Sequence, residues 1–170
     1  GVPMLIPSFL YEGIHSLHHA RTRYGTVEDP EYLPLALMKP WTVPVFVIVA
    51  AFAPIALLFR FAVLTPLSFL IPPLRKLVVE RYSGLVINPE FRRRAPEGEL
   101  KKQWLLQEIA VSVWAIFLLV GVFSGFIPLR GFLIFMGIAS ATIVFNQIRT
   151  LVAHLWENDG IVFSTTAQFL

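Results

Sequence analysis

Residues 42–73 read TVPVFVIVAAFAPIALLFRFAVLTPLSFLIPP. The run is too long for one ordinary membrane crossing, which takes about 20 residues, and too apolar for a surface helix in water. Its single charge is Arg60, and its helix breakers are Pro44, Pro54, Pro66 and the pair Pro72-Pro73. Proline removes a backbone donor and clashes with the preceding turn, so the run should be broken into two short pieces, a re-entrant or broken hydrophobic hairpin.

Working outward, two further apolar stretches follow, and residues 104–129 and 130–153 read as spans joined by a tight connection near Gly125, Pro128 and Gly131. The hydrophobic share of the chain is 56% and its mean hydropathy is +0.69. A soluble domain has roughly 45–50% apolar residues, so the bilayer is the expected solvent and the expected class is an all-α, multi-span integral membrane protein. The stretch 74–103 holds eight of the 14 basic residues, centred on Arg92-Arg93-Arg94 and punctuated by Pro89, Pro96 and Gly98. It reads as a basic loop on the cytoplasmic side, by the positive-inside tendency, rather than as a nucleic-acid surface. The triplet itself reads as membrane-surface positioning, with docking of an acidic electron-transfer partner as the alternative. Trp41, Trp104 and Trp156 would then fall in one interfacial aromatic belt.

Before the apolar run lies the chemistry. The cluster His15-Ser-Leu-His18-His19 holds three of the four histidines, and on a helix the spacings of three and four turn them to one face. With no cysteine in the chain, a metal has only nitrogen and oxygen donors, and imidazoles suit iron, zinc, copper or nickel alike. Glu12, three residues earlier, is placed either to orient an imidazole or to sit solvated. Residues 21–40, with Tyr24-Gly25-Thr26 and Asp29-Pro30, read as a water-facing loop in which Asp29 and Glu31 form a solvated acidic turn. The fourth histidine, His154, follows the last span. It shares a helical stripe with Asn146 and Thr150, although a histidine at a helix C-terminus is also favoured by the macrodipole alone. No phosphate-binding glycine loop, serine elbow or cysteine centre is present, which removes the nucleotide-binding and common hydrolase classes.

Tyr11-Glu-Gly-Ile-His-Ser-Leu-His-His19, followed by Tyr24-Gly-Thr and Asp29-Pro-Glu-Tyr32, resembles the HxxHH histidine box of membrane fatty acid desaturases and its flank. Asn146-Gln-Ile-Arg-Thr-Leu-Val-Ala-His154 resembles the end of the helix before that family's last box. The resemblance implies an oxygen-dependent, non-haem di-iron site at the cytoplasmic membrane face. It would be fed electrons by ferredoxin or cytochrome b5 and would act on a fatty acyl chain carried by a lipid, CoA or carrier protein. His15, His18, His19 and His154 would belong to the iron ligands, with Glu12 or Asn146 tuning them from behind. Residues 1–170 would be part of a single domain, with an HxxxH-type box before Gly1 and an HxxHH-type box after Leu170. Four histidines for two irons imply that this piece alone is inactive. Within the same chemistry a lipid, carotenoid or alkane hydroxylase or ketolase is the alternative to a desaturase. Outside it, the alternative is a non-catalytic metal-binding membrane protein.

Overall fold

The computed structural model describes residues 1–20, 22–26, 28–33 and 38–153. Those residues are helical, with no strand among them. Short 3₁₀ turns at Val2–Met4 and Ser8–Leu10 lead into α1 (Ile14–His18). The apolar run forms α2 (Thr42–Ala51), α3 (Ala53–Phe59), a π-turn (Arg60–Leu64) and α4 (Thr65–Leu70). Then come α5 (Pro72–Tyr82), α6 (Gly98–Phe123) and α7 (Leu129–Ala153). Three stretches are long and apolar enough to cross a membrane, Ala53–Leu70, Gly98–Phe123 and Leu129–Val152, and the protein is an integral membrane protein.

The expected breaks in the apolar run follow from its prolines. Pro54 has no N–H to offer the Ala50 carbonyl, so α2 ends at Ala51 and α3 restarts with Pro54 in its first turn. The Ser140 hydroxyl on α7 donates to the Ala51 carbonyl at the break (2.7 Å). Pro66 deprives the Ala62 carbonyl in the same way, and the π-turn beside it is closed by the Thr65 hydroxyl donating to the Arg60 carbonyl (2.9 Å).

The reversal comes at Ile71, the residue before Pro72-Pro73, whose backbone is extended (φ −123°, ψ 98°). From Arg60 to Leu70 and from Pro72 to Tyr82 the chain covers similar helical lengths, about 15 Å each at 1.5 Å per residue. The second run brings the Tyr82 carbonyl back to Arg60 Nε (2.9 Å), so α5 is the returning arm of the hairpin. Sequence reading placed these residues in the basic loop. Their helical pattern is masked because Arg75, Lys76, Glu80 and Arg81 interrupt a buried stripe that includes Val78 and Val79.

A second difference is where the last two spans begin and turn. α6 starts at Gly98 rather than Trp104 and ends at Phe123, and Gly125 (φ +77°) makes the turn to α7 in a conformation a side chain would strain. Trp104 belongs to no lipid-facing belt: it is 2% exposed, lies 5.2 Å from the Phe9 ring and carries the Arg93 guanidinium over its face (4.0 Å). The core gathers the amino-terminal turns, α3, the π-turn and α6 around Phe9, Phe61, Trp104 and Val111. α7, by contrast, keeps large apolar residues such as Phe145 and Val152 exposed, as a lipid-facing span does.

Candidate metal centre

α1 is a single short helix, and it does what the histidine spacing predicts. The ring centres of His15 and His19 lie 4.4 Å apart, His18 and His19 4.7 Å, and His15 and His18 6.3 Å. So short a helix has no stability of its own, and neighbouring segments hold it. Gly84, from the loop after α5, lies against Ile14 so closely that an added Cβ would overlap the Ile14 side chain. The Leu85 amide donates to the Leu10 carbonyl (2.9 Å).

The middle member of the arginine triplet ties these pieces together. Arg93 donates from Nη1 to the Phe9 carbonyl (2.6 Å) and the Ser83 carbonyl, and from Nη2 to the Glu12 carbonyl, while its amide donates to the Glu80 carbonyl (2.9 Å). Burial pushes its guanidinium down to about 10, with Glu12 opposing the shift. Arg93 is therefore a clamp beneath α1 rather than a membrane-surface charge, because its donors are spent on backbone carbonyls.

The loop after α1 is not the solvated turn that its Asp-Pro composition implies. Tyr24 and Asp29 are each 1% exposed, and the Asp29 carboxylate accepts from His18 Nδ1 at 2.8 Å (Oδ1) and 3.0 Å (Oδ2). The same carboxylate accepts from the backbone amides of Gly25 (2.9 Å) and Glu31 (2.8 Å). Glu31 lies between two histidines, with its carboxylate 4.0 Å from His15 Nδ1 and 3.9 Å from His18 Nε2. Burial pushes the Glu31 carboxyl up, an effect that His18 opposes and Asp29 reinforces. His15 is held below its ordinary value by burial and by the neighbouring His19 and His18, which keeps it in the neutral, lone-pair-bearing form. The Tyr11 hydroxyl lies 2.9 Å from His15 Nδ1, and burial and Glu31 push that phenol up.

Glu12 does not share the helix of His15. It precedes α1, exposed, on the rim of a cleft that it shares with Arg92 and Arg94, and the carboxylate on the cluster's imidazole is Asp29. Asn146 is exposed on α7, where its Oδ1 accepts from Arg149 (3.2 Å) and its carbonyl from the Thr150 hydroxyl (3.0 Å). Arg149, near the end of α7, opposes the upward push on both Tyr11 and Glu31. His154 and Trp156 lie outside the described residues.

Sequence reading also missed Glu108. It is fully buried on α6 and takes Arg60 Nη2 on Oε1 (2.9 Å) and Arg75 in bidentate fashion (3.1 Å to Oε1, 2.6 Å to Oε2). Arg60 further donates to Thr65 Oγ1 and Ser83 Oγ. One acidic residue inside an apolar helix was the available signal, since such residues are rare without a partner.

The donor types fit a non-haem iron site. The imidazoles cluster, and with a carboxylate on His18 Nδ1 it is Nε2 that would face a metal. The set is incomplete, however: among the described residues no three His, Asp or Glu side chains close on one metal position.

The fold and the site define a class: a helical membrane protein with clustered imidazoles, one of them backed by a buried carboxylate. The model of the fatty acid desaturase family matches residues 1–168, and the chain belongs to that family. Over 170 residues, all of this chain, it is 42% identical to a ceramide hydroxylase of Caulobacter vibrioides (strain NA1000 / CB15N). The chain spans about half of that relative, 48% of its length. No solved structure matches it.

Proposed function

We propose that this chain supplies part of a non-haem di-iron site in a membrane enzyme that uses dioxygen to oxidise a C–H bond of a lipid acyl chain. The observation that carries the reading is the convergence of His15, His18 and His19 with His18 backed by Asp29. His15, His18 and His19 would be ligands, with His154 joining them from the residue after α7. An unactivated methylene gives no foothold to acid–base groups, so iron when bound supplies the oxidising power. The protein holds His15 neutral and His18 oriented, and the spans would present the acyl chain.

Two outcomes share that chemistry. Hydroxylation consumes one dioxygen, two electrons and two protons to turn R–H into R–OH and one water. Desaturation consumes the same reactants, removes two hydrogens from adjacent carbons and releases two waters. Hydroxylation of a ceramide-type acyl chain is favoured by the name of the relative, and desaturation by that of the family. The electrons would come from a carrier such as ferredoxin or cytochrome b5, and the site would open to the cytoplasmic face.

In the full-length protein purified from membranes, His18→Ala should abolish iron binding and product formation. Retention of both would refute the assignment. Mass analysis of the lipid product separates the two outcomes, since hydroxylation adds one oxygen atom and desaturation removes two hydrogens. Iron binding without either product would leave the non-catalytic metal-binding reading.

A further inference from the structure

Asp29 is held from both ends. Its carboxylate takes His18 Nδ1 and two backbone amides, and its own carbonyl accepts from Asn88 Nδ2 (3.0 Å), a residue 59 positions along the chain. The next carbonyl, that of Pro30, accepts the amides of Ile87 and Asn88 (3.0 Å each). Asn88 Oδ1 in turn accepts the Glu90 amide (2.9 Å), which fixes the side-chain amide with its donor toward Asp29. Asn88 and Asp29 are 7% and 1% exposed, so water does not compete strongly for these bonds.

We infer that Asn88 and Asp29 form a positioning chain for His18, resting on the metal reading above. An imidazole has two neutral tautomers and can rotate about its side chain. A buried carboxylate on Nδ1 selects the Nδ1–H tautomer, makes Nε2 the donor to the metal and raises its basicity. Asn88 keeps that carboxylate in place by fixing the backbone that carries it. His15 has a weaker anchor, the half-exposed Tyr11 hydroxyl, so His18 is the preset member of the cluster.

The test uses the full-length protein in detergent, with ferrous iron as the probe in competition with a chelator, beside thermal unfolding of the metal-free form. Asp29→Asn should weaken iron binding about 10- to 100-fold, the usual effect of removing such a partner. Asn88→Ala, which removes the bond to the Asp29 carbonyl, should weaken it about 3- to 10-fold, roughly one lost hydrogen bond. Nitrogen-15 spectra of metal-free protein should show His18 losing its single tautomer in both variants. Arg75→Lys, which weakens the ion pair with Glu108, should leave iron affinity and the tautomer unchanged. If Asp29→Asn does not fold, Asn88→Ala decides alone. Wild-type iron affinity in the Asp29 and Asn88 variants, or an equal loss in Arg75→Lys, overturns the chain while leaving the metal reading intact. A wild-type protein that binds no iron overturns the metal reading, and the positioning role with it.

Discussion

The protein gathers titratable side chains in two clusters, and they are built on opposite principles. In the triad Arg60–Glu108–Arg75, both Glu108 oxygens and most of the Arg60 donors are spent on side chains and carbonyls of the protein itself. It locks the returning arm α5 and the π-turn onto α6, at the place where Pro66 and Pro72-Pro73 weaken the helical hydrogen bonding. The histidine layer instead crowds three like side chains and a raised carboxyl, Glu31, into one place. Burial and the neighbouring His19 and His18 disfavour the protonation of His15, which suits metal ligation. Saturated internal bonding marks the triad as structural, whereas the histidine layer gathers the donors that the proposed metal site needs.

The largest expected effect separates the two by what is lost. Glu108→Ala strands two guanidinium groups where little water reaches Arg60, and breaking a buried ion pair from one side costs about 3–5 kcal/mol. Thermal unfolding in detergent should show the loss, with little folded protein recovered. The combined change Arg60→Met, Arg75→Met and Glu108→Leu should restore much of it, because no charge is then left unpaired. His18→Ala should do the reverse, removing iron while the metal-free protein unfolds near the wild-type temperature. If Glu108→Ala is as stable as wild type, the triad is not the lock.

Arg93 stands between the two regions and should give an intermediate effect. Lysine keeps the charge but lacks the planar fork that reaches the carbonyls of Phe9, Glu12 and Ser83, and it stacks less well on Trp104. Loss of charge-assisted hydrogen bonds of this kind costs about 2 kcal/mol, read as a lowered unfolding midpoint. Arg94→Lys, at an exposed neighbouring position, should change nothing measurable, and a comparable loss there would remove the distinction within the triplet.

What sequence could reveal of each region follows the range of the interactions. The histidine face and the existence of the two long spans rest on local spacing, three and four residues or a continuous apolar run, although α6 begins at Gly98 rather than Trp104. Asp29 looked solvated because an Asp-Pro turn ordinarily is; what buries it arrives from residues 87 and 88, which no pattern near Asp29 announces. Glu108 finds its partners 48 and 33 positions away. α5 was hidden for a different reason, since its charges made an amphipathic returning helix resemble a basic loop. Long-range pairing decided both clusters, and periodicity carries no information about it.

The smallest effect sharpens the comparison through pH, in metal-free protein. His15 has a lowered value in the folded state, so between that value and 6.5 the unfolded chain binds more protons and stability rises with pH. Its contribution is complete above 6.5 and is lost as pH falls through the folded value. Glu31 has a raised value, so in the window above 4.5 the folded state binds more protons and stability falls as pH rises. The two slopes have opposite signs, that of His15 in a window below 6.5 and that of Glu31 in a window above 4.5, so they oppose one another in the wild type. Removing one exposes the other. Relative to wild type, His15→Asn should make the unfolding midpoint fall more steeply as pH rises through the first window, and Glu31→Gln should make it rise through the second. Both groups border solvent, so each change amounts to a small shift in midpoint rather than a loss of fold. Parallel pH profiles for all three proteins would mean that the histidine layer is as electrically settled as the triad, and the contrast drawn between the two clusters would then rest on geometry alone.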